Sequence, residues 1–511
     1  MNRTKPIDGE LLELKEEIEG YARDYGLDFY PVIFEMCDYD TVNILAALGG
    51  FPNRYPHWRF GMDYDQMYKG YAYGLQKIYE MVVNTNPCYA YLLSVNNIVD
   101  QKIVMAHVYG HADFFKNNAW FRSTNKNMMD LMANHGTKIR RYMDLYGQNK
   151  VEDFIDKVLS IDNLLDIDAL FYKRVVSSKK EENIENNFSD DSDLSISLKS
   201  FMKSKERDEL KKESGKVPKN QEVKRVDSKN LPTKDIMLFL LENAPLDDWE
   251  SDVIGILREE AYYYLPQRLT KIMNEGWASY WHSTIMTKKA AKPADIIHFA
   301  DHHAGVMAMS KQRLNPYKIG IELFRDIEFR WNTGRFGYEY NNCEDMNERE
   351  NWDTNAMIGR KKIFEVRQSH NDISFIDEFF TQEFCERMQI FTYKYNPRTG
   401  RNEIASRDFE AIKQKLLNQL TNFGSPMIEI ISSNDNNRGE LLLRHIYMGV
   451  GLDLGYATET MRNIYYLWKR PINLLTIDEN HEVKYHFDGK ELKQVEGRPL
   501  PNSSGNISEN A

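Results

Sequence analysis

Val99-Asp-Gln-Lys-Ile-Val-Met-Ala-His107-Val-Tyr-Gly-His111-Ala-Asp-Phe-Phe115 is the stretch of this chain that decides its fold. The nearly continuous apolar run predicts a helix from about Val99 through Phe115. Residues four apart lie above one another on one helix face, so the two imidazoles point the same way. Such a pair supplies half of the ligand set of a metal site. The competing interpretation is a pair of hydrogen-bonded histidines buried in the core.

The second half of the site is predicted in Asn274-Glu275-Gly-Trp-Ala-Ser-Tyr-Trp-His282. Glu275 and His282 are seven residues apart, which again places them on one helical face. We therefore predict a divalent metal held by His107, His111 and Glu275, with His282 as a fourth ligand or as an acid. Two imidazoles and a carboxylate favour zinc, and iron is the alternative. Gly276 is expected to permit close approach of a neighbouring backbone.

Further residues are candidates for supporting roles in the same site. His303 is a candidate ligand, with Asp301 as the carboxylate that would orient it. Glu259 and Glu260 are candidates for the general base that would act on a bound water. The competing interpretation is that both belong to the charged face of an amphipathic helix. The residues predicted to support the ligands by hydrogen bonding are Asp113, Asn117, Asn118, Asn274 and Tyr280.

The composition is that of a folded protein. Of the 511 residues, 42% are hydrophobic and 12% aromatic, enough for a sizeable buried core. The formal net charge of -11 argues against a general nucleic-acid binder, because phosphate contacts need clustered Lys and Arg. No phosphate-binding glycine loop, dinucleotide fingerprint or serine-nucleophile motif is present in the sequence.

The sequence favours a cytoplasmic protein. It shows no signal peptide and no apolar stretch long enough to span a bilayer, so no membrane insertion is expected. The cysteines lack close pairing or Cys-x-x-Cys spacing, which is typical of reduced, buried thiols. They are Cys37, Cys88, Cys343 and Cys385. The sequence leaves the oligomeric state open.

The predicted fold class is α+β, with a mainly helical N-terminal and central domain and a smaller C-terminal domain built of hairpin-helix units. Between them the composition turns polar, as in Ser189-Asp-Asp-Ser-Asp193, which predicts a disordered insert. Because the candidate ligands lie on both sides, we expect the insert to interrupt one domain rather than link two. The predicted segments are 1–176 and 231–330 (helical domain), 177–230 (insert), 331–387 (connecting helices), 388–490 (α+β domain) and 491–511 (disordered tail).

Several element boundaries follow from periodicity and turn residues. A helix is predicted from Tyr64 to Val83, and Pro266 is expected to break or kink the helical run before Gln267. Further on, alternating stretches predict three hairpins separated by two helices, a pattern suggestive of a duplicated unit. The strands of these hairpins begin near Met388, Met427 and Ile472.

Long strings of this sequence resemble the stage V sporulation protein R (SpoVR) family over most of the chain. The strings are Trp58-Arg-Phe-Gly-Met62, His107 to Asn118, Arg258-Glu-Glu-Ala-Tyr262, Lys271 to His282 and Ala300-Asp-His-His-Ala-Gly305. The resemblance implies a cytoplasmic protein of the mother cell, needed for assembly of the spore cortex, a modified peptidoglycan. It also implies a wider stress-related role, with a serine protein kinase and cell-envelope synthesis proteins as partners.

A more distant resemblance concerns the ligand pattern. His-x-x-x-His followed by Asn-Glu-Gly-x-Ala-Ser-Tyr is similar to the ligand set of the gluzincin metallopeptidases. Those enzymes carry a general-base Glu directly after the first histidine, and this chain has Val108 there. The spacing between His111 and Glu275 is also far longer than in that family. Zinc binding is compatible with these departures, whereas peptidase catalysis by the usual base is not.

Three hypotheses follow from the sequence. The first is a metal-dependent enzyme, hydrolytic in type, that acts in cell-envelope synthesis during sporulation. The second is a non-catalytic assembly or regulatory protein in which the metal-like cluster is structural and the C-terminal domain binds a partner. The third is a non-haem iron oxygenase, since two histidines and one carboxylate can form an open facial triad.

Overall fold

A computed structural model describes residues 4–72, 80–171, 234–308, 314–478 and 481–499. The chain forms two compact units, each assembled from two separate segments. The first unit comprises Met1–Arg141 and Tyr263–Gly424, and the second comprises Tyr142–Tyr262 and Ser425–Ala511. The predicted α+β class is confirmed, with most described residues in helices and a C-terminal region that contains a sheet.

Helices provide most of the secondary structure. They are α1 (Gly9–Asp24), α2 (Tyr39–Ala47), α3 (Trp58–Ala72), α4 (Ile98–Asn117), α5 (Met128–Tyr146), α6 (Gln148–Leu159), α7 (Ile236–Asn243), α8 (Asp248–Leu269), α9 (Lys271–Ile285), α10 (Ile296–Val306), α11 (Pro316–Thr333), α12 (Gly337–Asn341), α13 (Met346–Glu350), α14 (Gly359–Ser369), α15 (Asp372–Phe379), α16 (Gln382–Arg387), α17 (Phe409–Leu420) and α18 (Leu454–Trp468).

The strands form three sheets within the described residues. They are β1 (Thr4–Pro6), β2 (Val32–Cys37), β3 (Glu80–Val83), β4 (Cys88–Leu93), β5 (Thr392–Asn396), β6 (Arg401–Ser406), β7 (Ile428–Asp435), β8 (Glu440–His445), β9 (Ile472–Asp478), β10 (His481–Phe487) and β11 (Leu492–Pro499). The first unit holds a four-stranded sheet, order β1-β2-β4-β3, and the hairpin β5-β6. The second holds a five-stranded sheet, order β11-β10-β9-β8-β7, in which β8 and β9 run parallel.

Helix α4 runs through the core of the first unit. Its N-terminus is capped by Asn97, whose side chain accepts hydrogen bonds from the backbone N–H groups of Val99 and Asp100. Every residue from Asp100 to Phe115 is buried. A helix that is apolar on nearly all sides must be surrounded by protein, and that position explains how two histidines can lie within a hydrophobic core.

Helix α9 packs against α4 and α11 at glycines. A Cβ built on Gly110 would lie 2.6 Å from the Cα of Ala278, and one built on Gly276 would lie 2.4 Å from backbone atoms of Gly320. Real Cβ atoms are never found so close to backbone, so the three helices meet without intervening side chains. The prediction that Gly276 permits close backbone approach is confirmed.

Several predicted boundaries in the N-terminal half are wrong. The segment Glu80–Val83 is a strand and not the end of a helix from Tyr64, and a four-stranded sheet was not predicted. Short apolar runs such as Val32–Cys37 span too few residues for their periodicity to distinguish strand from helix. Pro266 lies inside α8 rather than breaking it. It stands in the last turn, where it removes one hydrogen bond only.

The C-terminal hairpins are confirmed, but they do not form one domain. The hairpin β5-β6 and helix α17 belong to the first unit, whereas β7 to β11 belong to the second. Sequence composition marks segments along the chain and carries little information on which segments pack together. The predicted tail from 491 is wrong at its start, since Leu492–Pro499 forms the edge strand β11. The predicted insert at 177–230 lies outside the described residues.

Two smaller predictions concern membrane insertion and the burial of the cysteines. Among the described helices, none combines the length and hydrophobicity needed to cross a bilayer. Cys37, Cys88 and Cys385 are buried free thiols, as predicted, whereas Cys343 is partly exposed.

The glycine contact between α9 and α11 can be tested by adding a single methyl group. In Gly276→Ala the new Cβ would meet the backbone of Gly320, which cannot yield as a flexible side chain would. We expect the free energy of unfolding to fall by about 1–3 kcal/mol, the usual cost of overpacking. The matched control is Gly20→Ala on the exposed face of α1, where a Cβ meets nothing within 4 Å. The control should stabilise by about 0.5–1 kcal/mol. Equal effects of the two changes in urea denaturation would contradict the close approach.

Candidate metal centre

Three side chains from α4 and α9 converge inside the first unit. The Oε2 atom of Glu275 lies 3.5 Å from the Nε2 atoms of both His107 and His111. These are the residues whose ligand atoms lie mutually within 4.8 Å, and no other such group of three occurs in the described chain. Both histidines are buried and Glu275 is nearly so. The structure thus brings together the three residues predicted as metal ligands.

The outer nitrogens of both histidines are already engaged. The Nδ1 of His111 lies 2.9 Å from the Oδ1 of Asn274, which can only accept a hydrogen bond. The Nδ1 of His107 lies 2.9 Å from the Nδ1 of His282. Donation from Nδ1 to Asn274 leaves the lone pair of His111 on Nε2, the nitrogen that faces Glu275. The contact with His282 holds the Nδ1 of His107, with either ring as the donor. Metal-binding histidines are held by their second nitrogen in this way.

Burial opposes a positive charge on these imidazoles. Burial, and next the charge of His111, lowers the pKa of the His107 imidazole to about 4. Burial raises the pKa of the Glu275 carboxyl, but the adjacent imidazoles of His107 and His111 outweigh it and hold that pKa below its usual range. At neutral pH the centre therefore contains a neutral His107 beside a carboxylate.

Neither imidazole Nε2 lies within ordinary hydrogen-bond distance of the Oε2 of Glu275. Glu275 Oε2 is inaccessible to solvent and has no hydrogen bond from the described residues. Its distance of 3.5 Å to each Nε2 exceeds the roughly 2.7–3.2 Å of an N–H···O bond. Zinc ligands at about 2.0–2.2 Å in a tetrahedron are themselves about 3.3–3.6 Å apart. The donor types and their separations therefore fit a divalent cation.

Two more histidines continue outward from His107. The Nε2 of His282 lies 3.4 Å from the Nδ1 of His303, which is partly exposed on α10. Burial, and next the charge of His107, holds the pKa of His282 well below its ordinary value. Because its Nδ1 faces the Nδ1 of His107, His282 lies on the side of His107 opposite Glu275. Neither His282 nor His303 belongs to the converging group of three.

Comparison with known proteins gives the family. A family model described as SpoVR like protein matches residues 8–425, and one described as SpoVR-like C-terminal domain matches residues 426–479. The chain belongs to the SpoVR family. It is 27% identical over 497 residues to the uncharacterized protein YcgB of Escherichia coli (strain K12), with 92% of each chain covered. No solved structure matches it.

The predicted base residues of this SpoVR-family chain lie on another helix. Glu259 and Glu260 belong to α8 and to the segment assigned to the second unit, and Glu260 is buried. Neither is part of the converging group in the first unit. Their role as general base stays a prediction.

The carboxylate that pairs with histidines of α10 is Asp100 rather than Asp301. Asp100 Oδ1 lies 2.8 Å from Nδ1 of His302 and 3.1 Å from Nε2 of His298. Asp301 is exposed, and His303 is directed instead at His282. The expectation that Asp301 orients His303 is wrong, because residues two apart on a helix project about 200° apart, toward nearly opposite faces.

Of the five predicted supporting residues, Asn274 contacts a ligand. Asp113 instead connects the helices that carry the ligands, accepting hydrogen bonds from Trp277 Nε1 at 2.8 Å and from the backbone of Asp28 at 2.8 Å. Its charge is balanced by Arg367 at 3.1 Å. The remaining three bond elsewhere: Asn117 to Asp28, Asn118 to Arg367 and His370, and Tyr280 to Glu328.

Sequence reasoning missed two residues that shape the centre. Asp372 accepts hydrogen bonds from the backbone N–H groups of Ile272 and Met273 at 2.8 and 2.9 Å, and so fixes the N-terminus of α9 one turn before Glu275. Tyr317 places its ring against that of His107, with centroids 6.3 Å apart. Neither residue has a local signal, since both act across the fold. A cap is ordinarily sought directly before its helix.

The Asp372 cap predicts a pH dependence of stability. Burial raises the pKa of its carboxyl to about 7, although the N–H groups of Ile272 and Met273 oppose the rise. Because the unfolded pKa is about 3.9, the folded state holds the proton more tightly, and this stabilisation is lost as pH rises through about 7. The quantity to follow is the free energy of unfolding of the wild type minus that of Asp372→Asn. We expect this difference to fall by about 2 kcal/mol from pH 5 to 7.5.

Urea denaturation at the two pH values measures this difference. Asp377→Asn on the same helix is the control, since Asp377 is exposed. A difference for Asp372→Asn that does not change with pH would contradict the cap as described.

Proposed function

We propose that this SpoVR-family chain is a metal-dependent enzyme, hydrolytic in type, that serves sporulation. The site of action that fits the family resemblance is assembly of the spore cortex, in the cytoplasm of the mother cell. The observation that carries the proposal is the buried group formed by His107, His111 and Glu275, whose potential ligand atoms all lie within 4.8 Å of one another. A cation at their centre removes the repulsion between them and supplies the missing partner of Glu275 Oε2.

Zinc is the metal favoured by this ligand set. Two imidazole nitrogens and one carboxylate oxygen are the protein ligands of many catalytic zinc sites, which keep one coordination position for water or substrate. The same three ligands would suit iron in a facial triad, so metal analysis decides between the two. When bound, either cation supplies Lewis-acid polarisation of a water or a carbonyl oxygen.

The residues of the chain then orient the ligands and handle protons. Asn274 accepts from His111 and so fixes the ring that presents its Nε2. His282, neutral in its buried position, holds the Nδ1 of His107 through its own Nδ1 at 2.9 Å. The residue after the first ligand, Val108, is buried and apolar, and cannot act as a base. His303 is the nearby imidazole with access to solvent, and we assign proton exchange to it.

The metal proposal is tested by elemental analysis of protein purified without chelators. Wild type should carry about one equivalent of zinc, whereas His107→Ala, His111→Ala and Glu275→Gln should each carry little, since loss of one of three ligands removes most of the affinity. His370→Ala is the matched control, because His370 pairs with Glu378 away from the centre. Iron in place of zinc would favour the oxygenase. Metal-free wild type would contradict the proposal.

A second function is favoured by the depth of the site. His107 and His111 are only 6% and 5% exposed, and Val108 removes the usual peptidase base. These observations suit a structural metal in a non-catalytic regulatory or assembly protein. Its partners would be a serine protein kinase and cell-envelope synthesis proteins, as the family resemblance implies. In this case the metal stabilises the fold and the chemistry lies elsewhere.

His303→Ala separates the two functions, because His303 adjoins the centre without being one of the converging ligands. The enzyme proposal expects unchanged zinc content and thermal midpoint, but at least a tenfold loss of heat-resistant spores, in line with loss of a proton-transfer group. His298→Ala on the same helix is the control. Normal spore counts for His303→Ala, together with a lowered thermal midpoint on chelation of wild type, would favour the structural role.

A further inference from the structure

A cavity of about 760 Å³ lies in the first unit, among residues between Ile272 and Leu420. We propose that it binds a single-chain amphiphile, with the apolar chain in the cavity and an anionic head group at Lys415. Its volume falls within the roughly 300–1,000 Å³ of small-molecule sites. No part of the proposed hydrolytic function requires this second site.

Most of the surface that lines the cavity is apolar. Its buried wall comes from three helices, through Ile319 of α11, Ile376 of α15, and Ile412 and Leu416 of α17. The partly buried Ile272 of α9 lies beside them. Aliphatic side chains offer contact area without hydrogen-bonding direction, which suits a flexible hydrocarbon chain better than a ring system bearing polar substituents. The buried walls also come from several packed elements, so the shape is largely preformed.

Polar groups gather at the rim. Gln389, Lys415 and Gln419 line the cavity and are exposed. Lys415 is the charged residue among those that line it, and no described acidic side chain forms an ion pair with it. One cation at the edge of an apolar cavity complements one anionic head group. Carboxylate and phosphate share this chemistry, and the amide groups of both glutamines could donate to either.

The turn that closes one side of the cavity is held in an unfavourable conformation. Gln389 has φ of 53°, in the left-handed region that costs a non-glycine residue of order 1 kcal/mol. The hydroxyl of Tyr393, which also lines the cavity, donates to the carbonyl of Gln389 at 3.0 Å. Strained residues of this kind occur at ligand-binding sites, and this one fixes the position of the rim.

Binding of n-alkyl carboxylates and n-alkyl phosphates to the full chain, by isothermal calorimetry below their micelle concentrations, tests the proposal. Affinity should rise about three- to fourfold per added methylene until the chain fills the cavity, and then level off. Tighter binding of the alkyl phosphates would identify a lipid phosphate as the ligand. Tighter binding of the alkyl carboxylates would identify a fatty acid. Alkyl alcohols should bind more weakly, and alkyltrimethylammonium ions should not compete. Absence of saturable binding, or equal affinity for the cationic probe, would overturn the proposal.

Two pairs of matched variants locate the bound molecule. Lys415→Gln should weaken binding of the anionic probes about two- to fivefold. Gln414→Glu makes the same change of net charge at an exposed neighbour and should have less effect. Thr392→Trp, which places an indole in the cavity from β5, should weaken all chain probes at least tenfold. Lys394→Trp on the exposed part of that strand should not.

Thermal midpoints of all four variants verify that they fold. Unchanged affinity in both Lys415→Gln and Thr392→Trp would overturn the assignment to this cavity. Binding should persist in His107→Ala, so that failure of the metal proposal and failure of this one give different results.

Discussion

The absence of side chains at Gly110, Gly276 and Gly320 is the constraint on which the structure of the first unit depends. A Cβ at any of these positions would approach backbone atoms to 2.6 Å or less. The contact therefore fixes the axial register of α4, α9 and α11 against one another. His111 follows Gly110 and Glu275 precedes Gly276, so the closest backbone contacts adjoin the ligands. A metal site must be held to within about 0.5 Å, which packed backbones achieve better than loops.

The same packing also makes electric charge at the cluster energetically costly. It removes water from two imidazoles and a carboxylate, whose charged forms are costly to bury without a partner. The protein supplies partners for the outer nitrogens through Asn274 and His282, but none of the described side chains donates to Glu275 Oε2. The outer nitrogens of the cluster thus have partners, whereas the carboxylate oxygen that faces inward has none. Such an arrangement is preorganised for a cation, because the chain need not rearrange when one binds.

The convergence of the three candidate ligands could be predicted because its signals are local. His107 and His111 share one helix face, and Glu275 is a polar residue within another apolar helix. The close backbone contact at Gly276 could also be predicted, since glycine is unfavourable within helices unless close packing requires it. Asp372 and Tyr317 could not be predicted, because each reaches the site from a distant segment. The sheet in the N-terminal half was missed for a different reason. Its strands are only three to six residues long, which is too short for periodicity to identify them.

The boundary between the two family models also has a structural counterpart. The C-terminal model begins at residue 426, and the second unit resumes at Ser425. Yet this unit also contains Tyr142–Tyr262, and the ring of Phe239 lies 5.2 Å from that of Trp468. The C-terminal sheet therefore shares its core with helices from the first family model's segment. A chain cut at 425 would expose that shared core. The three converging side chains, in contrast, come from the first unit alone.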